Sequence, residues 1–159
     1  MLSLDSRDIE ILKILSSEAR ISKVDLAARI NLSPSPCWER LKRLEKAGVI
    51  VSYRAQVSLR SVLPHVTFFV TIELERHRME SFQTFERAVK ASDEITGCWA
   101  LGGGFDYLLQ IVTRDVDSYQ RLIDGLLEQK LGLTRYYTYI VTKPVKETGI
   151  LPFDALMGG

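Results

Sequence analysis

The 159-residue sequence lacks long apolar runs and has only two cysteines, Cys37 and Cys98. Its longest purely apolar stretches cover a few residues, whereas a membrane-spanning helix needs about 20. It also lacks a charged-then-apolar leader of the kind that directs export. Two cysteines are too few for a disulfide framework or a four-ligand metal site. We therefore expect a soluble, cytoplasmic protein with reduced cysteines and no contact with a membrane.

Features of common enzymes are also scarce. Neither of the two histidines, His65 and His77, has a cysteine or carboxylate partner at metal-ligand spacing. No nucleophile motif is present, and the glycine-rich stretch LGGGFDYLL is not followed by the Lys-Ser or Lys-Thr pair of a phosphate-binding loop. We expect no enzymatic activity, no metal and no cofactor.

The net charge of +1 is small, but the charge is unevenly distributed. Residues 1–60 hold 11 Lys or Arg against 7 Asp or Glu, while the remainder holds 10 against 13. A modest basic excess at one end is compatible with an N-terminal contact to nucleic acid, although it is weak evidence by itself.

The first sixty residues have the apolar spacing of three helices. Asp5 is placed to cap a first helix over about residues 5–16, and Ser22 to cap a short second helix over about 22–30. The spacing of Ser22 and Asp25 predicts a variant of the capping box at the second helix.

The third helix begins rigidly and is strongly basic. Ser33 precedes Pro34 and Pro36, and prolines are tolerated in a first turn because its amide hydrogens have no intrahelical partner. Apolar residues at helical spacing face inward (Cys37, Leu41, Leu44), and basic residues fall outside that stripe (Arg40, Lys42, Arg43, Lys46). Gly48 supplies the left-handed residue that ends the helix.

Two short helices with a short turn and a basic outer face are typical of a helix-turn-helix, here about residues 22–47. A solvated helix in any small bundle is the alternative, but the small polar first turn favours entry into a DNA groove. The DNA-binding candidates are polar, basic and aromatic residues of this motif: Ser22, Lys23, Ser33, Ser35, Trp38, Glu39, Arg40, Lys42, Arg43 and Lys46. Among them, Arg40 and Arg43 suit a bidentate contact to guanine, and the basic residues together suit phosphate. Trp38 either packs on a neighbouring helix or touches sugar and thymine methyl, and both interpretations stay open.

The remaining chain predicts an α+β protein. Residues 1–52 form the helix-turn-helix domain, 53–63 a strand and hinge linker, 64–144 a second domain, and 145–159 a C-terminal tail. The second domain has the order βαββαβ, which builds a ferredoxin-like four-stranded antiparallel sheet with both helices on one face. The strand in the linker needs a partner from another segment or another chain. A second copy of the sheet is the economical cover for the open face.

The stretches LSPSPCWERLKRLEKAGVI, GCWALGGGFDYLL and YTYIVTKPVKETGILP, with LDSRDIEILKILSSEARIS at the start, resemble the Lrp/AsnC family of transcription regulators. This resemblance implies a homodimer, with the linker taking part in dimer geometry, and in the family such dimers often assemble further into octamers. It also implies that the glycine loop forms part of a pocket for an amino acid between dimers. Carried over by position, the effector-binding candidates are Gly102, Gly103, Gly104 and Asp106, with Tyr136 and Thr138 as weaker candidates.

Asp106 would hold an α-ammonium group in that pocket, although capping a turn is an equally reasonable role for it. Many family members carry a larger or acidic residue where Gly104 stands, so the identity of the effector does not follow from the resemblance.

The function expected is a sequence-specific DNA-binding transcriptional regulator whose C-terminal domain oligomerises and binds a small effector, an amino acid or related metabolite. Its partners are double-stranded operator half-sites, copies of itself and the effector. Two alternatives remain at this point: a stand-alone amino-acid-binding or scaffolding module, and a small ferredoxin-like enzyme.

Overall fold

The computed structural model describes residues 2–75, 78–147 and 149–157 and divides the chain into two compact units. Met1–Val57 with Lys146–Gly159 form the first unit, and Ser58–Val145 form the second. His77 lies outside the described residues. No helix in the described ranges is both long and apolar enough to cross a membrane.

The first unit contains three helices at the predicted places: α1 (Ser6–Ser17), α2 (Lys23–Arg29) and α3 (Pro34–Lys46). A full capping box starts α1, because the Asp5 side chain accepts from the Asp8 amide and the Asp8 side chain accepts from the Asp5 amide. At α2, the Ser22 hydroxyl accepts from the Asp25 amide at 3.1 Å and donates to the Asp25 carboxylate at 2.6 Å. At the N-terminus of both α1 and α2, two side chains three residues apart thus fix where the helix begins.

The core of the first unit is built from one apolar face of each helix. Its fully buried large side chains are Ile11, Leu26, Ile30 and Leu44. Cys37 is buried in this core, as the inward stripe of α3 predicts. The three helices therefore form one small hydrophobic bundle.

The C-terminal segment returns to the first unit. It forms the short helix α6 (Phe153–Leu156), and Phe153 packs against the core of the three helices. Asp154 also forms an ion pair with Lys13 of α1. The segment predicted as a tail thus contributes contacts to the helical unit.

The predicted strand in the linker is absent from the described chain. Residues 51–58 are neither helix nor strand, and Leu59–Ser61 form one turn of 3-10 helix. The physical reason is that a strand needs a hydrogen-bonding partner, and the described residues of this chain supply none at this place.

The second unit has the predicted ferredoxin-like order. Its elements are β1 (Val66–Leu74), α4 (Met79–Lys90), β2 (Ile95–Ala100), β3 (Tyr107–Thr113), α5 (Val116–Glu128) and β4 (Leu133–Ile140). They make an antiparallel sheet with strand order β2-β3-β1-β4. This order places β1 and β3 in the centre, as expected from βαββαβ connectivity.

Alternation along the strands separates the two faces of the sheet. Phe68, Val70 and Ile72 of β1 are buried under α4 and α5, where Phe85 and Ile123 are buried in the same core. On the opposite face, large aromatic side chains remain exposed: Trp99 at 48%, Tyr137 at 45% and Tyr139 at 56%. An apolar second face is therefore present, as the sequence of β1 predicts.

Candidate DNA-binding and effector sites

The turn between α2 and α3 determines how the two helices meet. Asn31 adopts a left-handed φ of 53°, which asparagine tolerates better than most residues. The Leu32 amide donates to Ala27 O at 2.9 Å, and the Asn31 amide donates to Ala28 O at 3.1 Å. These two bonds form a Schellman motif, so α2 ends abruptly and only four residues separate it from α3. The result is the helix-turn-helix arrangement.

The first turn of α3 is held open to solvent. Ser33 is the N-cap with extended backbone, but its side chain makes no capping hydrogen bond within the described chain. Pro34 occupies the first helical position, and Ser33 and Ser35 are both exposed. The helix therefore presents two small hydroxyl groups at its positive end, where an anion is favoured.

The outer face of the motif is polar and largely basic. Ser22 and Lys23 are exposed at the start of α2, and α3 exposes Glu39, Lys42, Arg43 and Lys46. The far end of α3 is closed by Gly48 at φ 69°, whose neighbour Val49 donates to Leu44 O at 3.0 Å. These contacts form a second Schellman motif, which ends α3. The basic face therefore extends no farther than this helix.

Arg40 differs from the expectation that it reads guanine. Its guanidinium donates to Asp5 at 2.6 Å and to Asp8 at 2.9 Å, both on the α1 side of the bundle. Arg43 also bonds the Asp8 carboxylate. Because these guanidinium groups are held by carboxylates, a guanine contact from either must first break an ion pair. This geometry argues against direct base readout by Arg40 and favours a structural role.

The ionic cluster at the start of α1 also changes the pKa values of two of its members. The Asp8 backbone amide, and then Arg40, hold the pKa of Asp5 below its ordinary value of 3.8. In turn, the hydrogen bonds to Asp5 and Asp8 raise the pKa of Arg40. Asp5 and Arg40 thus stabilise each other's charged form, and the ion pairs of Arg40 and Arg43 with Asp8 tie α1 to α3.

Trp38 packs within the protein. The indole is half-buried and packs against the core of the first unit. Lys23 Nζ lies 3.2 Å from the ring centroid, and Lys42 Nζ lies 4.9 Å from it. Of the two interpretations open from sequence, the structure therefore shows packing on neighbouring helices, with two lysines on the ring.

The glycine loop joins β2 to β3. Gly102, Gly103 and Gly104 are exposed, and Gly103 adopts φ 148°, which a residue with a Cβ rarely takes. Leu101 N donates to Asp106 O at 2.8 Å and closes the loop. There is open space around all three glycines, so the loop leaves room for a ligand or another chain.

Asp106 ties the loop to the centre of the sheet. Its carboxylate accepts from the Leu74 amide at 2.7 Å, and its own amide donates to Ile72 O at 2.8 Å. The acceptor role foreseen for Asp106 is therefore present, but it is directed to the end of β1. Any ammonium group that binds Asp106 would share this carboxylate with Leu74.

Tyr136 and Thr138 lie on β4, on the side of the sheet that faces the helices. Tyr136 pairs with Ile72, which is also the residue that Asp106 bonds. The structure thus brings Tyr136 to the same end of the sheet as Asp106. Thr138 pairs with Val70 farther along the strand, and its hydroxyl hydrogen-bonds Tyr119. Tyr136 is therefore the closer of the two to the glycine loop.

Beside the loop, the structure brings together a group that the sequence analysis missed. Phe105 meets Tyr137 edge to face at 5.6 Å, and the Arg135 guanidinium lies 5.6 Å from the Phe105 ring. Arg135 is paired with Glu73 on β1 at 2.6 Å. Alternation along β4 could have placed Arg135 and Tyr137 on one face, but their proximity to Phe105 depends on the sheet register.

Among the residues that the structure describes, no group of three or more His, Cys, Asp or Glu side chains is placed to hold a metal ion. His65 lies just before β1, where its Nδ1 is 3.0 Å from Leu63 O.

Two family models match the chain, one for each unit. The model of the Lrp/AsnC ligand binding domain matches residues 67–151, and that of a winged helix-turn-helix DNA-binding domain matches residues 4–51. The helix-turn-helix match lies within the helical unit, and the ligand-binding match covers most of the sheet unit and continues into the C-terminal segment.

Curated relatives match over nearly the whole chain. The sequence is 50% identical over 145 residues to the transcriptional regulatory protein DoeX of Halomonas elongata, covering 91% of this chain and 92% of the other. It is 37% identical over 148 residues to the leucine-responsive regulatory protein of Escherichia coli K12, covering 93% and 90%.

Solved structures share the fold. A transcriptional regulator of Neisseria meningitidis in complex with L-Met superposes with a TM-score of 0.88 at 34% identity, covering 97% of this chain and 99% of the other. An AsnC family transcriptional regulator of Agrobacterium tumefaciens gives 0.88 at 29% identity, covering 96% and 99%.

Proposed function

The chain belongs to the Lrp/AsnC family of transcriptional regulators, and from this membership we propose how its two units divide the work. The helical unit binds operator DNA through the exposed faces of α2 and α3. The sheet unit binds an amino acid or a related metabolite and assembles the protein. Effector binding changes the arrangement of the DNA-binding units and thereby the affinity for DNA.

The observation that carries the DNA-binding proposal is the exposed, positively charged outer face of α3 behind an open first turn. Ser33 and Ser35 sit where a helix in the major groove touches base edges, and Glu39 follows one turn later. Lys42 and Lys46 extend the face and neutralise phosphates. Lys23 supplies a cation from α2, whose neighbour Ser22 is engaged in capping.

We place the effector at the glycine loop. Gly102, Gly103 and Gly104 leave open space, and Asp106 supplies a carboxylate for an α-ammonium group. Tyr136 lies at the same end of the sheet, while Thr138 bonds Tyr119 and is the weaker candidate. The Neisseria regulator was solved with L-Met, which supports an amino acid as the class of ligand.

The open face of the sheet supports assembly into a homodimer. Trp99, Tyr137 and Tyr139 expose aromatic surface there, and a second copy of the sheet would bury it. Dimerisation would also bring two helix-turn-helix units to half-sites about one helical turn apart. The linker pairs with no strand among the described residues of its own chain, and it would find a partner in the other protomer. Four such dimers would then assemble into an octamer, as dimers of this family often do.

A regulator must share a compartment with the chromosomal DNA that it binds. In bacteria and archaea that compartment is the cytoplasm, and this supports a cytoplasmic location. The regulator family also favours a binding protein over an enzyme and over a module that binds only amino acids or other proteins. These alternatives differ in one property, because only the regulator binds duplex DNA in a sequence-dependent and salt-dependent manner.

The proposed function is tested with the full chain and a labelled duplex taken from upstream of its own gene. We expect tighter binding to this duplex than to a scrambled one, and binding that weakens as salt rises. A parallel thermal-shift screen of amino acids and their catabolic intermediates should find a ligand that raises Tm. Equal binding to both duplexes at every salt concentration would count against a regulator. A screen in which no compound raises Tm would count against an amino-acid effector.

A further inference from the structure

Trp38 connects two lysines that belong to different helices. Lys23 is the first residue of α2, and Lys42 lies one turn after Trp38 on α3. Both ammonium groups lie over the indole within about 6 Å of its centroid, the range in which the face of an aromatic ring attracts a cation. Tryptophan is also the aromatic side chain that attracts cations most strongly.

The indole of Trp38 is itself held in place by packing against the protein core. It is half-buried and packs against the same core that holds Cys37, Leu41 and Leu44 of α3. An exposed lysine normally samples many rotamers, whereas a lysine on a fixed ring is confined near it. The ring therefore restricts the positions of two ammonium groups that would otherwise be mobile.

We propose that Trp38 is a positioning residue for DNA binding: its ring preorganises the ammonium groups of Lys23 and Lys42 for contact with phosphate. This inference rests on the proposed function of the helical unit. Trp38 acts through the two lysines and makes no base contact. Preorganisation raises affinity because less side-chain freedom is lost when the complex forms.

Three exposed lysines of this motif separate positioning from simple charge. Lys23 and Lys42 lie on the ring, whereas Lys46 is exposed on the same face of α3, two positions beyond the buried Leu44. A substitution by methionine removes the charge of each lysine and keeps an apolar stem of similar length. Lys46 is thus a matched control for the two lysines on the ring.

The test is a set of double-mutant cycles measured by fluorescence anisotropy. The probe is a mixed-sequence duplex of about 30 base pairs, long enough for two half-sites one helical turn apart. Phosphate contacts do not depend on sequence, so no operator needs to be known. Trp38→Leu removes the π face, Trp38→Phe keeps an aromatic ring, and each is combined with Lys23→Met, Lys42→Met or Lys46→Met.

We expect Lys23→Met and Lys42→Met to weaken binding of the wild type more than binding of Trp38→Leu. The coupling factor should be about threefold or more, the size of an ordinary cation–π contact. Trp38→Phe should keep part of that coupling, and the cycle with Lys46→Met should be multiplicative. Multiplicative effects for Lys23 and Lys42 as well would overturn the inference. A wild type that fails to bind the duplex at low salt would instead overturn the proposed function.

A second measurement does not require any change at Trp38. The chain has two tryptophans, so Trp99→Phe leaves Trp38 as the sole tryptophan, whose emission is excited selectively at wavelengths that tyrosine does not absorb. In that background, Lys23→Met should change the emission of Trp38, and Lys46→Met should leave it unchanged. Emission that is the same with and without the Lys23 charge would show that the stack does not form in solution, and this too would overturn the inference.

Discussion

The guanidinium of Arg40 donates a hydrogen bond of 2.9 Å to the carboxylate of Asp8, which is fully buried. Asp8 belongs to α1 and Arg40 to α3, so this bond connects the first helix to the DNA-binding helix. The same carboxylate caps α1 and bonds Arg43. A single buried charge therefore fixes one helix start and the placement of another helix.

Asp8→Asn should destabilise the protein strongly. The substitution keeps the shape but removes the charge that compensates Arg40 and Arg43, and we expect a loss of about 2 to 3 kcal/mol in the free energy of unfolding. Urea unfolding measures this. Glu10→Gln on the same helix breaks only the exposed pair with Arg7 and should cost less than about 0.5 kcal/mol. Equal effects of the two substitutions would contradict a structural role for the Asp8 cluster.

Asp5 should make stability depend on pH in the acid range. Its pKa in the folded state lies below its ordinary value of 3.8, so the folded state binds protons less readily than the unfolded state. The resulting stabilisation is present above the ordinary pKa and is lost as the pH falls through the folded pKa. We therefore expect the urea midpoints of wild type and Asp5→Asn to differ at pH 6 and to approach each other as the pH falls below 3.8. A constant difference across this range would refute the linkage.

Much of the helical unit was predictable because its signals are local. Asp5, Ser22 and Ser33 lie directly before the helices that they start, and Gly48 directly after the helix that it ends. The role of Arg40 was not predictable in this way, since its partner Asp8 lies 32 positions away in the sequence. A basic residue on an amphipathic helix looks the same whether it faces DNA or a carboxylate of its own protein.

In the sheet, too, features that depend on neighbouring residues were predictable, and contacts between residues far apart in the sequence were not. The alternation of Phe68 and Phe69 predicts a strand with two apolar faces, and the order of elements predicts the fold. The contact of Phe105 with Tyr137 depends on the register between distant strands and was missed. In the linker, alternation of apolar residues predicted a strand. Pairing decides whether one forms, and within the part of the chain that the structure describes no strand pairs with this segment.

Two substitutions at Asp106 separate its structural role from a role in binding. Asp106→Asn keeps an oxygen that can accept from the Leu74 amide, so stability should change little, whereas Asp106→Ala should cost about 1 to 2 kcal/mol. If the carboxylate holds an ammonium group, Asp106→Asn should still lose the ligand-induced rise in Tm. The measurement is thermal unfolding with and without the amino acid found in the screen. A full ligand response in Asp106→Asn would exclude the carboxylate charge from the site.

Phe153 should contribute to the stability of the helical unit. Phe153→Ala removes a half-buried ring from its core, and we expect a loss of about 1 to 2 kcal/mol, less than for a fully buried phenylalanine. Unfolding is followed by the emission of Trp38 in the Trp99→Phe background. Leu156→Ala is the control, because that side chain is 75% exposed and should have almost no effect. No change for Phe153→Ala would show that the C-terminal segment is not docked in solution.

The central claim is that the outer face of α3 binds DNA, and the salt dependence of binding tests it most directly. If a dimer neutralises about six phosphates, the slope of log affinity against log salt should be about −5. Lys42→Met/Lys46→Met removes two cations per protomer, so the slope should become shallower by about 3 to 4, while Lys90→Met on α4 should leave it unchanged. A double variant with the affinity and slope of the wild type would contradict the account.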